Sequence, residues 1–249
     1  MKMSHYHAIS ICYFLSTIVV VSFYRYQHHR AIWPETDRDM SRPGKSFLLL
    51  LLSVPLVLGI GQLYMLGWLL PETGPLYIVS IPVNQILIFS PLLLMIALRN
   101  EGWHSVFLPS GNRWGRAIFG LCVATMAVAV YAIARTEISV NQAFETVFLP
   151  GNMVHVAQVA LEDIAIAGLF FRLRAWIGRV PAIGIIAGLF AIAHIPAMLA
   201  SGVSVDDMAS LIIDTAIGTV VLVGLDQTHD IIWVIPLHYV MDVLQFANP

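Results

Sequence analysis

The feature of the sequence that most constrains its fold is a series of eight long apolar runs. Each approaches or exceeds the roughly 20 residues that a helix needs to cross the hydrocarbon core of a membrane. The runs cover residues 8–24, 46–70, 76–98, 115–134, 152–176, 182–200, 207–225 and 229–246. They are continuous rather than alternating, which argues against a membrane β-barrel. The sequence therefore predicts an all-α, polytopic membrane protein with about eight transmembrane helices.

The composition excludes several other classes of protein. Only 11% of the residues are charged and 58% are hydrophobic, whereas soluble domains average about 25% charged residues. An ordinary soluble domain, a disordered chain and a nucleic-acid-binding protein are all incompatible with these values. The longest connection, residues 25–45, is too short for a soluble domain. We therefore expect residues 1–249 to form a single membrane domain.

The basic residues predict the orientation of the chain, because Lys and Arg accumulate in cytoplasmic loops. Alternate connections carry eleven of them, namely Arg25, Arg30, Arg38, Arg42, Lys45, Arg99, Arg113, Arg116, Arg172, Arg174 and Arg179. The opposite side carries only Lys2 and Arg135. We expect the eleven to face the cytoplasm and both termini to lie outside. The sequence contains no N-x-[ST] glycosylation site, which favours a bacterial plasma membrane.

Ionisable residues are distributed unevenly between the two halves of the chain. A charged side chain at mid-bilayer costs about 2.5–3.5 kcal/mol on insertion scales. The interiors of the first four predicted spans contain none. The last four contain seven ionisable residues: His155, Glu162, Asp163, His194, Asp214, His238 and Asp242. This asymmetry predicts a polar site within residues 150–246 and N-terminal spans, within residues 1–135, that pack around it.

Helical spacing indicates which of these side chains meet. His238 and Asp242 are four residues apart and share a helix face, whereas the adjacent Glu162 and Asp163 point about 100° apart. Glu162, His194 and His238 lie at depths that agree to within about 6 Å. We therefore expect three helices to bring together one carboxylate and two imidazoles. His155, near the outer interface, and Asp214, which we expect to pack against a neighbouring helix, are expected to lie outside the site.

A carboxylate and two imidazoles suit two hydrolytic mechanisms. In one, the carboxylate is a general base that activates water while the imidazoles stabilise an oxyanion. In the other, the same groups bind zinc and lower the pKa of its water. The sequence lacks an H-E-x-x-H motif, so we favour a site without metal or cofactor. A transporter is a third class, but the asymmetry between the halves argues against the repeats expected of one.

Three segments resemble the motifs of the CPBP intramembrane proteases, in order and spacing. This family includes the CaaX prenyl endopeptidases and the bacteriocin-processing and immunity (ABI) proteins. The segments are LEDIAIAGLFFRL, which contains Glu162 and Asp163, LFAIAHIP, which contains Phe190 and His194, and IIWVIPLHYVMD, which contains His238 and Asp242. They resemble the patterns E-E-x-x-x-R, F-x-x-x-H and H-x-x-x-N/D. The resemblance covers about residues 150–246.

The resemblance implies a function and roles for individual residues. The protein would be an intramembrane endopeptidase that cleaves a membrane-associated protein or peptide. Glu162 would be the general base and His194 would help to hold the water. His238 and Asp242 would form the pair that stabilises the oxyanion, and Asp163 would be the second acid of the first motif.

The first motif departs from the family pattern, because Ala167 stands in place of its arginine. The next arginine on this span, Arg172, is about 7.5 Å further along the helix, and we expect it to extend to the cytoplasmic interface. Without the motif arginine the two acids lack their expected cation. An inactive relative with a membrane binding, immunity or regulatory role is therefore the alternative hypothesis.

Overall fold

The computed structural model describes residues 5–29, 42–74, 76–99, 101–200 and 210–246, and within these ranges the regular elements are helices. They are α1 (His5–His29), α2 (Pro43–Leu51), α3 (Ser53–Met65), α4 (Tyr77–Leu98), α5 (Arg113–Arg135), α6 (Val140–Phe148), α7 (Pro150–Met153), α8 (Val156–Ile177), α9 (Arg179–Ala200), α10 (Ser210–Thr228) and α11 (Val234–Phe246). A 3-10 helix, Trp103–Val106, lies between α4 and α5. The all-α class is confirmed for these residues.

Six helical stretches are long and apolar enough to cross a membrane. They are His5–Gln27, Pro43–Met65, Tyr77–Leu98, Arg113–Arg135, Pro150–Ile177 and Leu211–Thr228. Each overlaps one of the predicted runs, and together they make this an integral membrane protein. The remaining two runs correspond to α9, whose described apolar part is Arg179–Ala193, and to α11. With 13 residues, α11 is about 20 Å long, less than the roughly 30 Å of a hydrocarbon core. The count of eight spans therefore stays a prediction.

A short amphipathic helix, α6, lies in the connection between two predicted spans and is not revealed by the apolar runs. Its N-terminus is closed by a capping box: the Ser139 hydroxyl accepts a hydrogen bond from the Gln142 backbone amide at 3.2 Å, and the Gln142 side chain accepts one from the Ser139 amide at 2.9 Å. The pattern Ser-x-x-Gln is the sequence signature of such a start. This helix leads through α7 into α8.

Helix α8 is central to the bundle. It packs against α2, α4, α9 and α11, while α10 packs between α1 and α9. Helix α11 also packs against α5, and Gly120 makes this close approach possible. A Cβ atom at Gly120 would lie 2.9 Å from the Cα of Trp233 and 3.1 Å from the carbonyl oxygen of Ile232. The start of α11, and with it His238, is thus held against α5 by backbone contact.

Arginines from three separate connections meet at one end of the bundle, which we call the arginine end. Arg116 forms a buried ion pair with Asp230 at 2.7 Å, and the partly exposed Arg174 forms an ion pair with Asp226 at 2.5 Å. Further contacts there join Tyr24 to Asp230, Arg179 to Asp226 and Arg25 to Gln227. The described residues Arg25, Arg116, Arg174 and Arg179 therefore lie on one side, as the charge count requires. The assignment of that side to the cytoplasm stays a prediction.

Candidate functional site

The centre of the candidate site is an acid–imidazole pair that joins α8 to α11. His238 Nδ1 lies 2.8 Å from Asp163 Oδ1, which is hydrogen-bond distance. The two side chains are only 15% and 10% exposed. Because a carboxylate can only accept a hydrogen bond, the pair has Nδ1–H of His238 as the donor. These residues are 75 positions apart in the chain, and the packing of α8 against α11 brings them together.

The pair forms part of the wall of a cavity of about 70 Å³ between α1, α8, α9, α10 and α11. One water needs roughly 10–15 Å³ of such space, so the cavity has room for water. Its described lining is aliphatic or aromatic except at Tyr13, Asp163 and His238. The second carboxylate oxygen of Asp163, Oδ2, is buried without a hydrogen-bond partner among the described residues. A buried acceptor of this kind is suited to bind a water molecule.

Glu162 occupies a different position from its neighbour. Its Oε1 accepts a hydrogen bond from Gln158 Nε2 at 3.0 Å, one turn earlier on α8, and Glu162 is not among the described residues that line the cavity. The roughly 100° between adjacent helix positions predicts this separation. The acid that contacts an imidazole is therefore Asp163, whereas the family resemblance implied Glu162 as the general base.

The other two motif residues are only partly described. His194 lies on α9, one turn after Phe190, but its side chain is outside the described part of the chain. The ring of Phe190 meets that of His238 edge-on, with 6.4 Å between centroids. Asp242 is half-buried, one turn after His238 on α11, and acts electrostatically on both Glu162 and His238. The structure thus brings Asp242 near the acid–imidazole pair.

The two off-motif residues differ from each other. His155 is exposed at the N-terminus of α8 and is not part of the described cavity lining, in line with its predicted place outside the site. Asp214 lies on α10 and is half-buried. It acts electrostatically on Tyr13, so its surroundings are closer to the cavity than expected.

Arg172, which we expected to extend to the cytoplasmic interface, is instead enclosed by protein contacts. Its side chain is 0% exposed and donates to Glu101 Oε2 at 2.5 Å and to Ser46 Oγ at 3.0 Å. It also donates to the Ser105 carbonyl oxygen at 3.2 Å and to that of Gly168 at 2.8 Å. Arg172 therefore anchors α8 to α2 and to the loop after α4. Its partners Glu101, Ser46 and Ser105 come from distant segments of the chain, so helical spacing within α8 did not indicate them.

Two features of the cavity were missed or left open by the sequence. Ala167, which replaces the motif arginine, is buried and lines the cavity, and the group that contacts Asp163 is the imidazole of His238 from α11. Tyr13 of α1 lines the same cavity, although the N-terminal spans were expected only to pack around the site. A tyrosine in the middle of an apolar span was the available signal.

Among the described residues, no group of three or more His, Cys, Asp and Glu side chains is arranged to hold a metal ion. The side chain of His194 is not part of that comparison. The preference for a metal-free site stays a prediction.

Fold and site define a polytopic helical membrane protein with an acid–imidazole pair beside a buried cavity. A family model described as type II CAAX prenyl endopeptidase Rce1-like matches residues 144–244. This match confirms the family resemblance predicted from the three motifs, all of which lie inside it. The chain matches no curated protein and no solved structure.

Proposed function

We propose that the protein is an intramembrane endopeptidase that hydrolyses a peptide bond in a membrane-associated protein or peptide. The observation that carries this proposal is the pair of Asp163 and His238 on the wall of a cavity large enough for water. A carboxylate with one unpartnered, buried oxygen is suited to hold and deprotonate a water molecule. The family match supports the same activity, since the family is named for prenyl endopeptidases that act on CAAX sequences.

In the proposed reaction, a water molecule binds to Asp163 Oδ2. The carboxylate that acts as general base takes a proton from this water and becomes a carboxylic acid. The hydroxide attacks the carbonyl carbon of the peptide bond. His238, protonated on both ring nitrogens, binds Asp163 through Nδ1 and stabilises the developing oxyanion through Nε2. The acid then returns its proton to the leaving amine, which separates the two peptides and restores the site.

Two adjacent acids are candidates for the general base. The motif resemblance implies Glu162, whereas the unpartnered Oδ2 supports Asp163. The variants Glu162→Gln and Asp163→Asn separate these roles, because the loss of the base removes cleavage and the loss of its neighbour only reduces the rate. His194, as a second group that holds the water, and Asp242, as a residue that orients His238, enter the proposal through their motifs.

The test uses purified protein in detergent with a prenylated peptide that ends in a CaaX sequence and the same peptide without the prenyl group. Mass spectrometry identifies the fragments. We expect cleavage by the wild type and a loss of about 100-fold or more in His238→Ala, because general acid–base groups contribute 10²–10⁴-fold. His155→Ala is the matched control, since His155 is exposed and outside the cavity; it should cleave like the wild type.

Two results would contradict the proposal. Cleavage that survives both Asp163→Asn and His238→Ala would remove the acid–imidazole pair from the reaction. A wild type that cleaves none of the peptides, together with an Ala167→Arg variant that does, would instead identify the natural chain as a non-catalytic relative.

We also propose that the membrane is a bacterial plasma membrane with the arginine end toward the cytoplasm, supported by the distribution of Lys and Arg. Reporters fused to the C-terminus test the orientation. Activity of a reporter that functions only outside the cytoplasm is expected, and activity of a strictly cytoplasmic reporter would reverse the orientation.

A further inference from the structure

Tyr13 belongs to α1, the helix furthest in sequence from residues 144–244, which match the family model. Its side chain is buried, with 6% of its surface exposed. It lines the same cavity as Asp163 and His238. It is also the only hydroxyl-bearing residue among the described lining residues. The cavity wall therefore combines a carboxylate, an imidazole and a phenol from three different helices.

The surroundings of Tyr13 are rich in acids. The carboxyl groups of Asp163, Asp214 and Asp242 all act on it electrostatically. A phenol is neutral near pH 7, so the hydroxyl of Tyr13 is a hydrogen-bond donor. A neutral O–H donor inside a membrane protein requires an acceptor.

The packing of α1 keeps this phenol in place. Helix α1 packs against α5, α10 and α11, and the residues around Tyr13 on the same helix, Ile9 and Cys12, are buried in the hydrophobic core. A donor on such a rigid element is positioned before the substrate arrives, which is the condition under which oxyanion stabilisation is most effective.

We propose that Tyr13 is a further catalytic residue, whose hydroxyl donates a hydrogen bond to the carbonyl oxygen of the scissile peptide bond as negative charge develops there. The inference rests on the proposed endopeptidase function. Asp163 accepts a hydrogen bond from Nδ1 of His238, so among the described lining residues Nε2 of His238 and the hydroxyl of Tyr13 are the side-chain donors that remain for the oxyanion. Tyr13 keeps its proton throughout, and no bond to it forms or breaks.

The test is Tyr13→Phe, which removes the hydroxyl and retains the ring. Removal of one oxyanion donor costs about 10²–10³-fold in kcat in a well-studied protease, so we expect kcat to fall by about 100-fold and KM to change by less than about threefold. The loss should be the same from pH 5 to pH 8, since a phenol does not titrate in that range.

The matched control is Tyr131→Phe. Tyr131 is another buried tyrosine, and its hydroxyl lies 3.2 Å from the carbonyl oxygen of Leu244 rather than in the cavity lining. Its loss should lower the Tm without lowering kcat. Thermal unfolding of both variants separates a catalytic effect from a structural one.

The outcomes distinguish this inference from the proposed function. A wild type that cleaves and a Tyr13→Phe variant that retains kcat within about twofold would overturn the role of Tyr13 alone. Equal losses of kcat in Tyr13→Phe and Tyr131→Phe would also overturn it, because the effect would then be structural. A wild type without any cleavage would overturn the endopeptidase function and this inference with it.

Discussion

Two acid–cation pairs of α8 and its neighbours differ in how completely their hydrogen bonds are satisfied. In one pair, Glu101 accepts from Arg172, from Arg99 at 2.6 Å and from Ser46 at 2.5 Å, and Arg172 also donates to Ser105 and Gly168. In the membrane interior, Asp163 accepts from His238 through one oxygen. Its other oxygen is buried beside a cavity and has no partner among the described residues.

From this difference we infer a structural role for the pair of Arg172 and Glu101 and a functional role for the pair of Asp163 and His238. A buried ion pair stabilises a fold only when its remaining polar atoms are also hydrogen-bonded, and the pair of Arg172 and Glu101 meets this condition. A buried oxygen without a partner costs free energy, and such costs are typical of sites where the unused acceptor binds water or substrate. Variants of each pair test whether a fully hydrogen-bonded pair affects mainly stability and a partly hydrogen-bonded pair mainly activity.

The largest expected effect is a loss of activity when the pair of Asp163 and His238 is changed. In Asp163→Asn, we expect cleavage of the peptide substrate to fall by 10²–10⁴-fold, because the carboxylate that holds the water is lost. The free energy of unfolding should stay within about 1 kcal/mol of the wild-type value, since an amide of the same size relieves the buried negative charge. Peptide cleavage and thermal unfolding are measured on the same preparation. A loss of stability as large as the loss of activity would contradict a functional role.

The next largest effect is a loss of stability when the pair of Arg172 and Glu101 is changed. Arg172→Met should lower the free energy of unfolding by about 3–5 kcal/mol, because breaking a buried pair leaves its partner groups unsatisfied. Arg172→Lys is the matched control. It should recover part of this loss, because lysine restores the positive charge but not the planar guanidinium group with its several donors. Denaturant titration in detergent measures both variants. If Arg172→Met changes the free energy of unfolding by less than about 1 kcal/mol, this pair contributes no more than an exposed ion pair does.

A smaller effect is the pH dependence of stability through Glu101, which lies in the loop after α4. Burial raises the pKa of Glu101, but hydrogen bonds from Ser46 and Arg99 and the charge of Arg172 outweigh burial and lower it below its usual value. A carboxylate with a lowered pKa stabilises the fold above its unfolded pKa of about 4.3, and this contribution is lost as the pH falls through the folded pKa.

We therefore expect the Tm to fall between about pH 5 and pH 3, and Glu101→Gln to flatten that decline. Glu145→Gln is the control, because Glu145 is exposed on α6. If the Tm of Glu101→Gln falls with decreasing pH as steeply as that of the wild type, another carboxylate is responsible for the decline.

The smallest effect is expected at an exposed ion pair. Arg135 and Glu137 approach to 2.7 Å, but their side chains are 17% and 35% exposed. Such pairs contribute about 0–1 kcal/mol, so Glu137→Gln should leave the Tm nearly unchanged, and added salt should reduce even that difference. If Glu137→Gln lowers stability as much as Arg172→Met does, burial does not explain how strongly these ion pairs stabilise the fold.

Much of the fold was predictable because the bilayer acts as a simple solvent with a fixed thickness. The predicted run 115–134 corresponds to Arg113–Arg135, and the run 76–98 to Tyr77–Leu98. Helix α6 was missed because its signal is a capping box on a polar segment rather than an apolar run. The short α11 was overestimated because the run 229–246 includes an apolar loop, Ile231–Trp233, that is not helical.

Less of the site was predictable, because helical spacing orders residues on one helix but does not set the rotation of one helix against another. The depths of Glu162 and His238 agreed along the membrane normal, yet the acid that contacts His238 is Asp163. Arg172 was assigned to the interface because its partner Glu101, 71 residues away, lies in a loop that no helical repeat connects to α8.

The sequence by itself determined that this is an all-α membrane protein and in which half the ionisable residues lie, since both follow from the cost of placing each residue type in hydrocarbon. Only the tertiary structure decided that Asp163 rather than Glu162 meets His238, that Arg172 is buried against Glu101, and that Tyr13 of α1 lines the cavity. These contacts join residues far apart in the chain, and they depend on the rotation of each helix, which is set by packing against several neighbours at once.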